Sequence, residues 1–170
     1  TGLGTLRYEW NDLDAAETCL RQGLELGQRW SEWEILSAGY AGLIRIALAR
    51  GNVSRAREVL ASCVAEAEKM AVSWTRSLIE SVRVLVALHV GDLEAAKSWA
   101  AGNSDLDVGA GLVSLLSSIR QESSPDVRGA MLKGLREVAP IIAASGERIA
   151  EVVRIGMGLM AADMEHMGRP

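Results

Sequence analysis

At 170 residues with 49% apolar and 24% charged residues, the chain carries enough apolar content for a sizeable core and too much for an intrinsically disordered segment. A net charge of −4 and a pI near 5.3 exclude the basic footprint of a nucleic-acid surface, and no apolar run approaches the roughly 18 residues of a membrane span. Seventeen glycines with three prolines and no phenylalanine favour closely packed helices joined by tight turns over a strand-rich sandwich.

Position 11 begins Asn-Asp-Leu-Asp-Ala-Ala-Glu, position 51 Gly-Asn-Val-Ser-Arg-Ala-Arg, and position 91 Gly-Asp-Leu-Glu-Ala-Ala-Lys, so one motif returns at offsets of 40 and 40. Such a period means that each unit is a supersecondary element unable to bury its apolar face alone, so neighbours stack into a solenoid. Within each copy, Asn11, Gly51 or Gly91 suits the left-handed residue that ends one helix, and the following Asp or Asn caps the next. A short first helix carries Leu3, Leu6 and Trp10, and a second carries Leu13, Ala16, Leu20 and Leu24. Ser31 followed by Glu34 has the spacing of a capping box and predicts the start of a helix with Ile35, Leu36, Tyr40, Leu43, Ile44 and Ala47. Val53, Ala56, Leu60, Val64 and Ala67 predict its partner. Leu78, Ile79, Val82, Leu85 and Val86 predict the next first helix, whose partner after Gly91 reads as short.

Beyond Ala101, Gly102-Asn103-Ser104-Asp105 is a turn-rich break. Ser124 before Pro125 predicts an N-cap with proline at N1, opening a helix with Met131, Leu135, Val138 and Ile142. Pro140 inside that pattern predicts a kink or an earlier end. Residues 147–167 carry one more amphipathic pattern. The expected architecture is all-α: a right-handed superhelical α-solenoid of antiparallel helix pairs, one domain over 1–170 with units of approximately 1–30, 31–71, 72–101, 106–145 and an incomplete 146–170. Neither end shows a dedicated polar cap, so the chain reads as a fragment of a longer protein.

The stretch Tyr8-Glu9-Trp10-Asn11-Asp12-Leu13-Asp14-Ala15-Ala16-Glu17, continued by Leu20 to Leu26, resembles the tetratricopeptide-like repeats of MalT-type LuxR-family transcriptional regulators. Leu48-Ala49-Arg50-Gly51-Asn52 and Val90-Gly91-Asp92-Leu93-Glu94-Ala95-Ala96 are similar to that family's successive pairs, and the resemblance covers residues 1 to about 100. In that family the repeats form a superhelical sensor domain between an N-terminal signal-transduction NTPase module and a C-terminal helix-turn-helix. The resemblance thus implies a non-catalytic segment that takes a small-molecule effector or a regulatory protein, with DNA contacted only through a domain outside this chain. The alternative is a general tetratricopeptide scaffold gripping a peptide or helix in its concave groove. Neither reading requires a cofactor, and the oligomeric state stays open.

Candidate chemistry is sparse. Cys19 and Cys63 have no close-spaced Cys or His neighbours, which leaves a zinc site or disulfide framework without support, and a reducing cytoplasm is the expected compartment. His89 and His166 have no acidic or cysteine partner at ligand or dyad spacing. Gly109-Ala110-Gly111 and Gly156-Met157-Gly158 complete no phosphate loop and read as a helix start and close helix packing. Asp105, Asp107 and Gly109 resemble part of a calcium loop, but the twelfth position falls on Leu116. Binding has more to work with, because the first helices of such pairs line the inner wall. The repeat register places Glu34, Ala38, Ala41 and Arg45 on that wall in one unit, and Trp74, Leu78, Ser81 and Leu85 in the next. This set offers an aromatic face, small residues that leave room, and a few polar groups to orient a guest. Trp30, Trp33 and Trp74 are spaced so that their rings could gather along one edge.

Overall fold

The computed structural model describes residues 2–70, 75–102, 115–120, 122, 124–144, 154–156 and 158. Among them every regular element is a helix: α1 (Gly2–Glu9), α2 (Leu13–Trp30), α3 (Trp33–Ala49), α4 (Val53–Met70), α5 (Thr75–His89), α6 (Leu93–Gly102) and α7 (Pro125–Ala143), with further helical residues at 115–120. The chain divides into two compact units, Thr1–Val82 and Arg83–Pro170. The break at 105, the Gly109 and Asp105 motifs, Trp74 and His166 lie outside the described residues, as does most of the 147–167 pattern.

The recurring motif builds the same turn three times. Asn11, Gly51 and Gly91 have φ of 59°, 69° and 75°, the left-handed region that glycine enters without steric cost. That residue reverses the chain so that the next amide reaches back across the helix end: Asp12 N to Arg7 O (2.9 Å), Asn52 N to Ala47 O (2.8 Å) and Asp92 N to Ala87 O (2.9 Å). The same Asp, Asn and Asp then cap the following helix, their side-chain oxygens accepting from Ala15 N (3.3 Å), Arg55 N (2.9 Å) and Ala95 N (3.1 Å). Each such cap is worth about 1 kcal/mol. Two residues thus close one helix and open the next, and antiparallel pairs follow.

The capping box expected at Ser31 is not formed. Ser31 takes φ 55° as the left-handed end of α2, and the residue before α3 is Glu32, which makes no side-chain cap bond. A residue committed to reversing the chain cannot also hold the extended geometry of an N-cap, so this turn uses the C-terminal half of the motif alone. Pro140 does not end α7 early; the helix continues to Ala143. The carbonyl that loses its donor belongs to Arg136, which is exposed, so water can satisfy it. Ser124 caps α7 as expected, accepting from Val127 N at 3.4 Å with Pro125 at N1.

In the first unit α1 packs on α2, α2 on α3 and α3 on α4, while α1 also touches α3. Ala16 and Ala56 are fully buried at the crossings. Leu20 is held between two glycines, since a Cβ at Gly4 would fall 2.7 Å from its Cγ and one at Gly42 2.7 Å from its Cδ1. The second unit has its own core, in which Leu88, Trp99, Leu115, Ile119, Met131, Leu135 and Ile142 meet. Residues 115–120 enter it through Leu115 and Ile119, and Gly156 lies against Leu116 as a close-packed helical residue.

Candidate ligand-binding wall

Helix α3 lies between α2 and α4 and buries most of its circumference, from Trp33 and Leu36 through Tyr40, Leu43 and Ile44 to Leu48. What remains accessible is a strip along one side at helical spacing: Glu34, Ala38 and Ala49 exposed, Ala41 and Arg45 half-buried, with Ile35 and Gly42 half-buried beside them. Glu34 in the first turn meets the positive end of the helix dipole, and its carbonyl accepts from Ser37 Oγ at 3.1 Å. The alanines keep the middle of the line shallow. At its far end the Arg45 guanidinium lies over the Tyr8 ring of α1, Cζ 4.3 Å from the centroid, and its Nη2 is buried without a hydrogen-bond partner.

The four residues expected from α5 have other surroundings. Ser81 and Leu85 are buried, at 1% and 4% exposure, because α5 turns this face into packing; Leu85 belongs to the second unit's core. Leu78 sits on α5 in the first unit, and Trp74 lies outside the described residues. The tryptophans Trp30 and Trp33 do not share an edge: the first is 66% exposed and the second 4%. The left-handed turn at Ser31 separates them and sends Trp33 into the core.

Two arrangements have no local signal in the sequence. On the opposite side of α3, Glu17, Arg21, Leu43, Ile46, Ala47, Arg50, Asn52, Arg55 and Val59 line a cavity of about 60 Å³. Arg50 there pairs with both Glu17 and Asp14, and Arg21 Nε donates to Glu17 at 3.1 Å. The Arg50 and Arg21 guanidiniums hold the Glu17 carboxyl below its ordinary range. This network fastens α2 to the end of α3 across 33 residues of sequence. In the second unit, His89 does acquire an acidic neighbour: Glu122 Oε2 lies 3.8 Å from its Nδ1, both side chains about nine-tenths buried. Glu122 also accepts from Ser124 N (3.0 Å) and, through its carbonyl, from Arg128 Nε (2.8 Å), so it ties the end of α5 to the start of α7. Burial pushes the Cys63 thiol up to about 12, which keeps it protonated and unreactive.

No group of three or more potential metal-ligating side chains comes together among the described residues, and none of their helices is long and apolar enough to cross a membrane. No curated protein and no solved structure matches the chain significantly. The sequence model of the MalT-like TPR region matches residues 1–120, the span that holds all three copies of the capped turn, and the chain belongs to that family.

Proposed function

We propose that this chain is the effector- or partner-sensing segment of a MalT-like LuxR-family transcriptional regulator, non-catalytic by itself and acting on DNA only through another module. The helix pairs would wind as a right-handed superhelix with first helices inward, and the accessible line Glu34, Ala38, Ala41 and Arg45 of α3 would form part of the inner wall, extended by Trp74 and Leu78. The observation that carries this reading is the accessible strip on one side of a first helix that is buried on its other sides, within a span that matches the MalT-like TPR region. Signalling requires the effector to prefer one arrangement of the regulator, since equal affinity for two states shifts neither.

A thermal-shift screen of small metabolites and short peptides tests it. A true effector at about a hundred times its Kd should stabilise the chain by roughly 2.7 kcal/mol. Ala41→Trp, which fills the middle of the open line, should abolish that stabilisation while leaving the helical circular dichroism spectrum intact. Binding that survives Ala41→Trp unchanged would refute the wall. A response confined to extended peptides would favour the scaffold reading over effector sensing.

A further inference from the structure

We propose that Arg45 is an oxyanion-binding residue, taking a carboxylate or phosphate group of the effector against the Tyr8 ring at the end of the α3 line. The proposal rests on that line being a binding surface and adds the chemical class of what it binds.

The cations whose side chains are described in the first unit fall into three groups. Arg7, Arg21, Arg50, Arg55 and Lys69 each have a carboxylate partner. Arg29 and Arg57 are exposed. Arg45 is half-buried, so water does not fully solvate it, and no carboxylate among the described residues reaches it; one nitrogen is shut off from solvent with nothing to donate to. A cation in that state is costly to keep unless something compensates it. Tyr8 compensates in part, because the ring takes the flat face of the guanidinium. The ring leaves the in-plane N–H groups unclaimed; Nη2 is closed to solvent, so an incoming carboxylate or phosphate oxygen meets the guanidinium through Nη1–H or Nε–H in a charge-assisted bond. Ala41 and Ala49, one turn to either side, present only methyl groups beside it. The acid on the same line, Glu34, lies eleven residues away, about 16 Å along the helix, too far to neutralise Arg45.

The test follows the arginine Nε–Hε signals of the 170-residue chain by nitrogen-15 NMR during titration with sodium phosphate and with sodium acetate at constant ionic strength. The Arg45 signal should move saturably with at least one of the two, and which one identifies the anion; Arg29 and Arg57 should not saturate. Arg45→Gln removes the charge and should weaken the effect on neighbouring backbone amides about tenfold; Tyr8→Leu should weaken it as well. An Arg45 signal that moves no more than those of Arg29 and Arg57, or an Arg45→Gln chain that binds as tightly as the parent, would overturn the proposal. Effector binding lost in Ala41→Trp but untouched in Arg45→Gln would sink the anion site and spare the wall. Saturation at Arg45 with effector binding unchanged in Ala41→Trp would sink the wall instead.

Discussion

Leu20 offers the sharpest test of how the first unit holds together. It is 1% exposed and wedged between α1 and α3, each of which contributes a glycine at the contact. Neither Gly4 nor Gly42 has a side chain that could swing into vacated space, so Leu20→Ala should sit in the upper part of the range for such truncations, about 3–5 kcal/mol. For a unit of this size that lowers Tm by at least about 12 °C. Gly42→Ala alone places a methyl 2.7 Å from Leu20 Cδ1, and Leu20 cannot retreat without approaching Gly4. Overpacking of about 1–3 kcal/mol then outweighs the roughly 1 kcal/mol that alanine gains over glycine in a helix, leaving a net loss of about 1 kcal/mol. In the Leu20→Ala background the clash is gone and the methyl fills part of the cavity, so the same substitution should become stabilising by about 1 kcal/mol. Urea denaturation of the four chains, followed by circular dichroism, gives the coupling energy, expected near about 2 kcal/mol. Additive effects within about 0.5 kcal/mol would refute the wedge.

Further outcomes are expected elsewhere. Asn52→Ala and Asp92→Ala should each cost about 1 kcal/mol by urea denaturation while Asn52→Asp costs little, and Gly51→Ala should cost roughly 1–2 kcal/mol because its φ is +69°. Glu17 is held below the ordinary carboxylate value of 4.5, chiefly by Arg50 and then Arg21, so its contribution to stability is complete above that value and disappears as pH falls through the lowered one. Arg50→Ala should therefore destabilise the chain at neutral pH and much less in strong acid; a penalty independent of pH would show that Arg50 acts by packing. Cys63, buried and pushed up to about 12, should resist iodoacetamide in the native chain at neutral pH and label only at the rate of unfolding, so rapid native labelling would contradict its burial.

Features governed by neighbours along the chain are legible in the sequence alone. The left-handed residue, the cap and the buried alanine all act within one or two turns, so the motif at 11, 51 and 91 predicts three turns that form with the same hydrogen bonds. The Ser31 capping box does not form because a local rule has two valid answers there: serine can open a helix or, less commonly, end one, and the burial of Trp33 and Leu36 decides it. The Glu17–Arg50 network and the His89–Glu122 contact span 33 residues each and have no local pattern at all. Which side of a first helix stays open depends on the two helices that flank it. For α3, helical spacing is enough to group Glu34, Ala38, Ala41 and Arg45 on one line. For α5 the same spacing carries Ser81 and Leu85 into the core.

The repeat itself separates the residues that build the stack from those free to specialise. Ala16, Ala56 and Ala96 occupy one register and are all fully buried, because a larger side chain would push the crossing helices apart. Leu43 and Ile46 are buried in α3, beneath the Glu17 and Arg21 side of α2, whereas their equivalents Leu3 and Leu6 in α1 are 56% and 51% exposed. That register is apolar in these two pairs, whereas forty residues after Leu43 it holds the exposed Arg83. The register of Arg45 varies as well: forty residues earlier it is Thr5 and forty later it is Leu85. Core positions vary between copies too, Tyr40 giving way to Glu80 and Leu43 to Arg83, so it is the surroundings of Arg45 that set it apart. Its guanidinium lies over the Tyr8 ring with a buried Nη2 that has no partner, a state that the packing of the helix pairs does not explain.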